Sequence, residues 1–394
     1  MMMKAPISIL SWLQTSFLLR LLGVRAERRN AFLESRFFNA HVSKEPVTWF
    51  HASSLGELEM LKPLIEDFHK RGLKVGVSAF SDSAYPGLLD LKKITVYADL
   101  SPREDEWKRL FDRFKVEKLI LAKYDFWPGL LDAASRANAP VIVINAQMRT
   151  SLRRIVQAFR FLGVRMPKLF LFPNDLVAEG ELRANLGNEV KLFVAVDPRW
   201  EQVARRVEKQ TRSRALVKWS EKISELRKPI GMIGSAWLQD LDVILPVLKN
   251  HKDSLVIVPH DLSPKNIEEI ENRVKKWELE DRTLVVNEMG ILVELYRFAD
   301  WVFVGGGFGK GIHSLLEPAI YSVPIACGPS RYYDFIETKE LAKRNLLTRC
   351  ETAQAFEAWL KEKSVDQETK EWIHSKRKLY SIVLEECIRI EGVN

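Results

Sequence analysis

The sequence predicts an α/β protein built of two doubly wound, parallel-sheet units. Three observations predict it. Short apolar runs alternate with helix-like segments. The alternation breaks at a polar, basic stretch, Arg205–Lys218, and then restarts. In the second half an apolar run opens into a glycine-rich turn, Trp301-Val-Phe-Val-Gly-Gly-Gly-Phe-Gly-Lys-Gly-Ile-His-Ser-Leu-Leu-Glu317. Strands interleaved with helices imply a parallel sheet covered on both faces. A chain of 394 residues is long enough for two such cores.

The N-terminus stands apart. Residues 1–30 carry Lys4, Arg20, Arg25, Arg28 and Arg29 against Glu27 alone, half of the chain's net charge of +8. Ala5–Leu19 is uncharged and rich in Ile, Leu, Trp and Phe, yet shorter than the roughly 20 residues of a span. No small-residue cleavage site follows it. An apolar segment with a cationic flank suits a helix lying in an anionic bilayer surface, so residues 5–29 are expected to be a membrane-associated helix. An amphipathic helix docked on the protein has the same pattern.

In the first half the predicted strands are Val47–Ala52, Val75–Phe80, Ile94–Tyr97, Leu119–Ala122, Val141–Asn145 and Lys191–Val196. Between them Leu55–Lys70, Glu104–Phe114 and Pro128–Arg136 have helical spacing. In the second half the strands are Ile230–Gly234, Leu255–Pro259, Thr283–Val286, Trp301–Gly305 and Pro324–Gly328. Its helices are Leu238–Asn250, Ser263–Trp277, Ile291–Phe298 and Ser314–Tyr321, and Asp366–Arg389 is helical in pattern. This sets expected domains at 31–204 and 221–365, a linker at 205–220 and a C-terminal helix at 366–394. The linker's charge reads as a solvated surface, since it lacks the aromatic interleaving of a nucleic-acid platform. Nucleic acid is not an expected partner, and Cys327, Cys350 and Cys387 lack metal-ligand spacing and suggest a reducing compartment.

Doubly wound sheets bind ligands at the carboxyl ends of their strands. Four constellations fall there. Gly305, Gly306 and Gly307 let backbone approach a ligand closely, and His313–Glu317 reads as a helix's first turn, which favours an anion. Gly234-Ser-Ala-Trp-Leu-Gln-Asp240 offers Ser235 as an N-cap or phosphate contact. Pro259-His-Asp261 offers His260, for which a structural role at a strand end is the plainer reading. His51-Ala-Ser-Ser-Leu-Gly-Glu57 puts Glu57 near a helix N-terminus, where a carboxylate is stabilised by the dipole and is also placed to act as general base.

These motifs, in this order, resemble the 3-deoxy-D-manno-octulosonic acid (Kdo) transferases. The resemblance rests on His51–Glu57, Phe126-Trp-Pro128, Gly305–Glu317 and Gly328-Pro329, and runs from about residue 6 to 345. Lys123-Tyr-Asp-Phe-Trp-Pro128 and Pro259-His260 resemble a variant branch with Lys-Tyr-Glu-Phe-Trp and Pro-His-Glu motifs, which Asp197-Pro-Arg199 also fits. The chain departs from that branch at Ser314, where asparagine is expected, at Ala236, where threonine is, and at Asp125, one methylene shorter than glutamate.

The resemblance implies the GT-B fold, with two Rossmann-like domains facing across a cleft. It implies an inverting transfer without metal or cofactor, from CMP-Kdo to a lipid A precursor, by a monotopic protein on the cytoplasmic face of the bacterial inner membrane. Glu57 would be the catalytic base. Ser235, His260, Gly305–Gly307, His313, Ser314 and Glu317 would bind the donor, with Glu317 on the ribose hydroxyls. Ser54, Gly56, Lys123, Asp125 and Trp127 would line the acceptor side or the cleft. Lys123 also has a reading as a surface lysine after a strand, and Asp125 and Trp127 read equally as cleft-wall packing. A GT-B transferase using a UDP-sugar and a non-catalytic lipid A-binding paralogue are the alternatives.

Overall fold

The computed structural model describes residues 45–391 apart from 85–86, 89–90, 92–94, 97–103, 124, 187–189, 195–196, 209–212 and 335–336. The expected membrane helix over residues 5–29 lies outside the described residues. No described helix is long and apolar enough to cross a membrane. The chain divides into two compact units, one ending at Gln202 and completed by the segment from Lys378, the other Val203–Arg377. The expected boundaries stood at 204/205 and 365/366.

The first unit holds a seven-stranded sheet. Its strands are β1 (Val47–Ala52), β2 (Val75–Ala79), β3 (Thr95–Val96), β4 (Val116–Ala122), β5 (Val141–Ala146), β6 (Leu169–Pro173) and β7 (Val190–Leu192). The order is β3-β2-β1-β4-β5-β6-β7, and every pairing is parallel. The sheet's strands are apolar because both faces are covered. On one face Phe50, Val77, Ile120 and Ile142 pack under Leu61, Leu64 and Phe68 of α1 (Leu55–Lys70). On the other, Trp49, Leu119 and Val143 meet Trp107 and Leu131. Trp49 lies across Gly76, its register partner, where a Cβ would collide with the indole.

The second unit repeats the plan with six strands: β8 (Ile230–Ala236), β9 (Ser254–Pro259), β10 (Thr283–Val285), β11 (Trp301–Val304), β12 (Ile325–Cys327) and β13 (Leu347–Arg349). The order is β10-β9-β8-β11-β12-β13, again parallel. Trp301 lies across Gly231 as Trp49 does across Gly76. Both orders reverse direction beside the first strand, between β1 and β4 and between β8 and β11. Those are the switch points where such sheets open a crevice.

Some elements differ from expectation. β6 and β13 are absent from the expected strands: β6 is a short unbroken apolar run without a period, and β13 is only Leu347-Thr348-Arg349. The supposed linker is helical on both sides of 209–212, as Arg199–Glu208 and Arg214–Ser224. Its basic residues obscured two apolar stripes, Trp200-Val203-Ala204 and Leu216-Trp219-Ile223, which are buried. The helix expected at Ser314–Tyr321 is a single turn, Leu316–Ala319, with Pro318 inside it. The C-terminal helix Gln367–Arg389 belongs to both units, and Lys118 Nζ, buried in β4, donates to the Ile388 carbonyl at 3.0 Å near its end.

Candidate functional site

In the first unit the switch-point residues follow β1 and β4. Ser54 ends the turn after β1 with an extended backbone, and its hydroxyl accepts the Glu57 N–H at 3.4 Å, starting α1. Gly56 is exposed, and a Cβ there would meet nothing. Glu57 is 4 % exposed, and its Oε2 accepts the Ser53 N–H at 2.7 Å. Lys123 ends β4 in the left-handed region (φ 58°), which turns the chain so that Asp125 lies against Glu57.

The protonation of this pair follows from its surroundings. Burial raises the proton affinity of Glu57; the Asp125 hydrogen bond, the Lys123 charge and the Ser53 amide act the other way. Asp125 is pushed well above the ordinary range by burial and then by the Glu57 charge. Both carboxyls therefore hold a proton more readily than an isolated carboxylate, Asp125 the more strongly. A desolvated carboxylate with raised basicity is what a general base requires.

His51 and Trp127 form the wall beneath. Their rings are 4.9 Å apart, and Trp127 also meets Trp107 and Phe80. Trp127 is buried and packs the wall. Trp49 Nε1 donates to Ser78 Oγ at 2.9 Å, and His51 Nδ1 shares a hydrogen bond with the same oxygen, also at 2.9 Å. Burial holds the His51 pKa down to about 3.

In the second unit Ser235 lies at the end of β8 with φ 52°. It is not the cap of Leu238–Leu248; Trp237 holds that position, and its N–H donates to Asp240 at 3.1 Å. Asp240 also accepts from Gly306 N at 2.6 Å and from Phe308 N at 3.1 Å. Gly305 N donates to Gly234 O, and Gly309 N and Gly311 N donate to Gly306 O. These five amides are committed inside the protein. The glycines also serve close packing. Gly306 has φ 89°, and a Cβ on Gly307 would strike the backbone of Gly328.

The polar groups that remain are side chains. Trp237, His260 and His313 stack successively, with ring centroids 4.5 Å apart at each step. Trp237 Nε1 donates to His313 Nε2 at 3.1 Å, and Lys310 Nζ lies 4.6 Å over the Trp237 ring. Burial, then the neighbouring His260, lowers the His313 pKa. Ser314 precedes the single-turn helix, so no extended helix dipole points at it. Glu317 is largely buried, which raises its pKa, while Arg206 at 3.5 Å opposes the shift. The structure thus joins His260 to His313 and Glu57 to Asp125 and Lys123. Sequence reasoning missed Asp240 and Lys310. The spacing of Trp237 to Asp240, a cap and its third residue, was the available signal for Asp240.

Residues 26–172 match the family model of 3-deoxy-D-manno-octulosonic-acid transferase (kdotransferase). A bifunctional glycosyltransferase/methyltransferase of Fusobacterium nucleatum is 26% identical over 390 residues, covering 89% of this chain; the chain spans 59% of that relative's length. A 3-deoxy-D-manno-octulosonic acid transferase of Chlamydophila psittaci is 26% identical over 317 residues, covering 72% of this chain and 70% of the relative. A glycosyltransferase of Rickettsia africae shares the fold with a TM-score of 0.56 at 12% identity, over 88% of this chain and 100% of that one. With two parallel sheets of the GT-B class and a kdotransferase domain matched over residues 26–172, the chain is similar to the Kdo transferases.

Proposed function

We propose that the chain transfers Kdo from CMP-Kdo to a hydroxyl of a lipid A precursor, with inversion and with no metal ion taking part. The observation that carries this reading is the Glu57–Asp125 pair. Burial raises the proton affinity of Glu57 beside Asp125, while the Ser53 N–H and the Lys123 cation favour its ionised form. Glu57 takes the proton of the acceptor hydroxyl as that oxygen forms its bond to the anomeric carbon. The bond from that carbon to the CMP phosphate oxygen breaks on the opposite face, and CMP leaves with the electron pair. A positioned base of this kind contributes about 10²–10⁴-fold.

The donor's charge falls to the second unit. Lys310, His260 and His313 are the polar groups on the stacked column. They are the contacts for the phosphate and the Kdo carboxylate. Gly305–Gly307 and Ser235 form the floor, and Glu317 is assigned to the ribose hydroxyls. The amphiphilic acceptor gives residues 5–29 a purpose. We place the protein on the cytoplasmic face of the inner membrane, with this segment in the leaflet that supplies the acceptor.

The test is direct. The full chain is incubated with lipid A precursor and CMP-Kdo, and products are weighed by mass spectrometry. A mass gain of one or more Kdo units with matching CMP release is expected. Neither product appearing with an active membrane preparation would remove the reading, and transfer from a UDP-sugar instead would replace the donor.

A further inference from the structure

The carboxyl edge of the first sheet carries buried amides that the reaction above does not use. The register aligns His51, Leu121, Val143 and Leu171 as one row across β1, β4, β5 and β6. Two residues further on come Ser53, Lys123 and Asn145; the ladder to β6 shifts at Asn145, so that Pro173 pairs with Ala146 and Asn174 follows. Lys123 and Asn145 are both left-handed, with φ of 58° and 57°. Their turns interlock: Lys123 N donates to Ile144 O at 2.8 Å, and Gln147 N donates to Lys123 O at 3.4 Å.

Asn145 is fully buried, and neither its Oδ1 nor its Nδ2 has a hydrogen-bond partner. Gln147 Nε2 and Asn174 Oδ1 are also buried without partners. Buried polar groups are nearly always paired, because leaving one unpaired forfeits its hydration with nothing in return. Here the unpaired groups sit on neighbouring strand ends, beside the Glu57–Asp125 pair. Adjacent strands are about 4.8 Å apart, so β1 to β5 spans about 10 Å, the scale of one sugar ring with its hydroxyls.

Resting on the reading of Glu57 as base, we propose that Asn145 and Gln147 bind the hydroxyls of the acceptor sugar that flank the reacting one. The chemistry of the set selects the ligand. Asn145 offers one donor group and one acceptor, Gln147 a donor and Asn174 an acceptor. Vicinal hydroxyls, each both donor and acceptor, satisfy such a mixed set. A phosphate, acceptor-only, would face the Asn145, Asn174 and Asp125 oxygens. The amides therefore orient a neutral polyol and present one hydroxyl to Glu57.

The test uses Asn145→Gly, which keeps the left-handed backbone and removes the amide, with Gln147→Met as a second, size-matched variant. Steady-state kinetics on the full chain should show the acceptor KM raised at least tenfold in either variant, with the CMP-Kdo KM within twofold of wild type. A purely structural role would move both or neither. Acceptor KM unchanged in both folded variants overturns the inference while leaving Kdo transfer intact. If wild type transfers nothing, the reading of the reaction fails separately. Saturation-transfer NMR with a soluble glucosamine disaccharide then decides: signal lost in Asn145→Gly sustains the subsite, and signal retained sinks it.

Discussion

Asp240 holds Gly306. Its carboxylate accepts the glycine N–H at 2.6 Å across 66 residues of sequence, and the same group takes the N–H of Phe308 and that of Trp237. One buried side chain thus ties the turn after β11 to the start of the helix after β8. Burial raises its proton affinity, and the three donors offset that cost.

Asp240→Asn keeps the volume but gives one of its two oxygens over to an NH₂ group. At least one loop N–H is left without an acceptor, at a cost of about 1–3 kcal/mol. The midpoint of urea unfolding should fall accordingly. The KM for CMP-Kdo should rise more than kcat falls, because the loop loses its placement while the base is untouched.

Glu57→Gln removes the proposed base and should keep the fold. Turnover should drop by about 10²–10⁴-fold, with CMP binding by calorimetry unchanged. Both members of the pair have folded-state pKa values above their unfolded ones. The pair's contribution is therefore greatest at acid pH and declines as pH rises through the folded values. At neutral pH Glu57→Gln should melt no lower than wild type. A near-native rate in the purified variant would exclude Glu57 as the base.

Lys123 lowers the proton affinity of Glu57. Activity requires Glu57 ionised, so kcat/KM should climb with pH along an acid limb set by its pKa. Lys123→Met should shift that limb to higher pH. The limb staying in place in a pH–rate profile would show that Lys123 does not bear on the base.

His51 is buried neutral with its pKa near 3, far below its unfolded value. The unfolded chain binds the proton first, so this residue's contribution is present above pH ~6.5 and is lost as pH falls toward 3. The slope reaches about 1.4 kcal/mol per pH unit. Denaturation of wild type and His51→Asn across pH 4–7 should differ by that slope, the variant being flatter.

Much of the first unit was legible because its signals are local. Leu55–Lys70 and Pro128–Arg136 have the bounds that their helical spacing suggests. β6 and the helices at 199–208 and 214–224 were hidden where unbroken apolar sequence or dense basic charge masks the period. The candidate site was legible as a set of strand ends. Which loop amides stay free was not, since Asp240 competes for them from another strand–helix turn.

Apolar periodicity, turn glycines and strand-end polar residues lie within a few positions of one another, so the sequence alone determined the two alternating sheets and the placement of Glu57, Lys123 and Gly305–Gly307. Only the tertiary structure decided that Asp125 is buried against Glu57, that Asp240 occupies the glycine loop, and that Asn145 is buried unpaired. Proton affinity and hydrogen-bond satisfaction depend on which distant atoms share a volume from which water is excluded, and no local pattern carries that information.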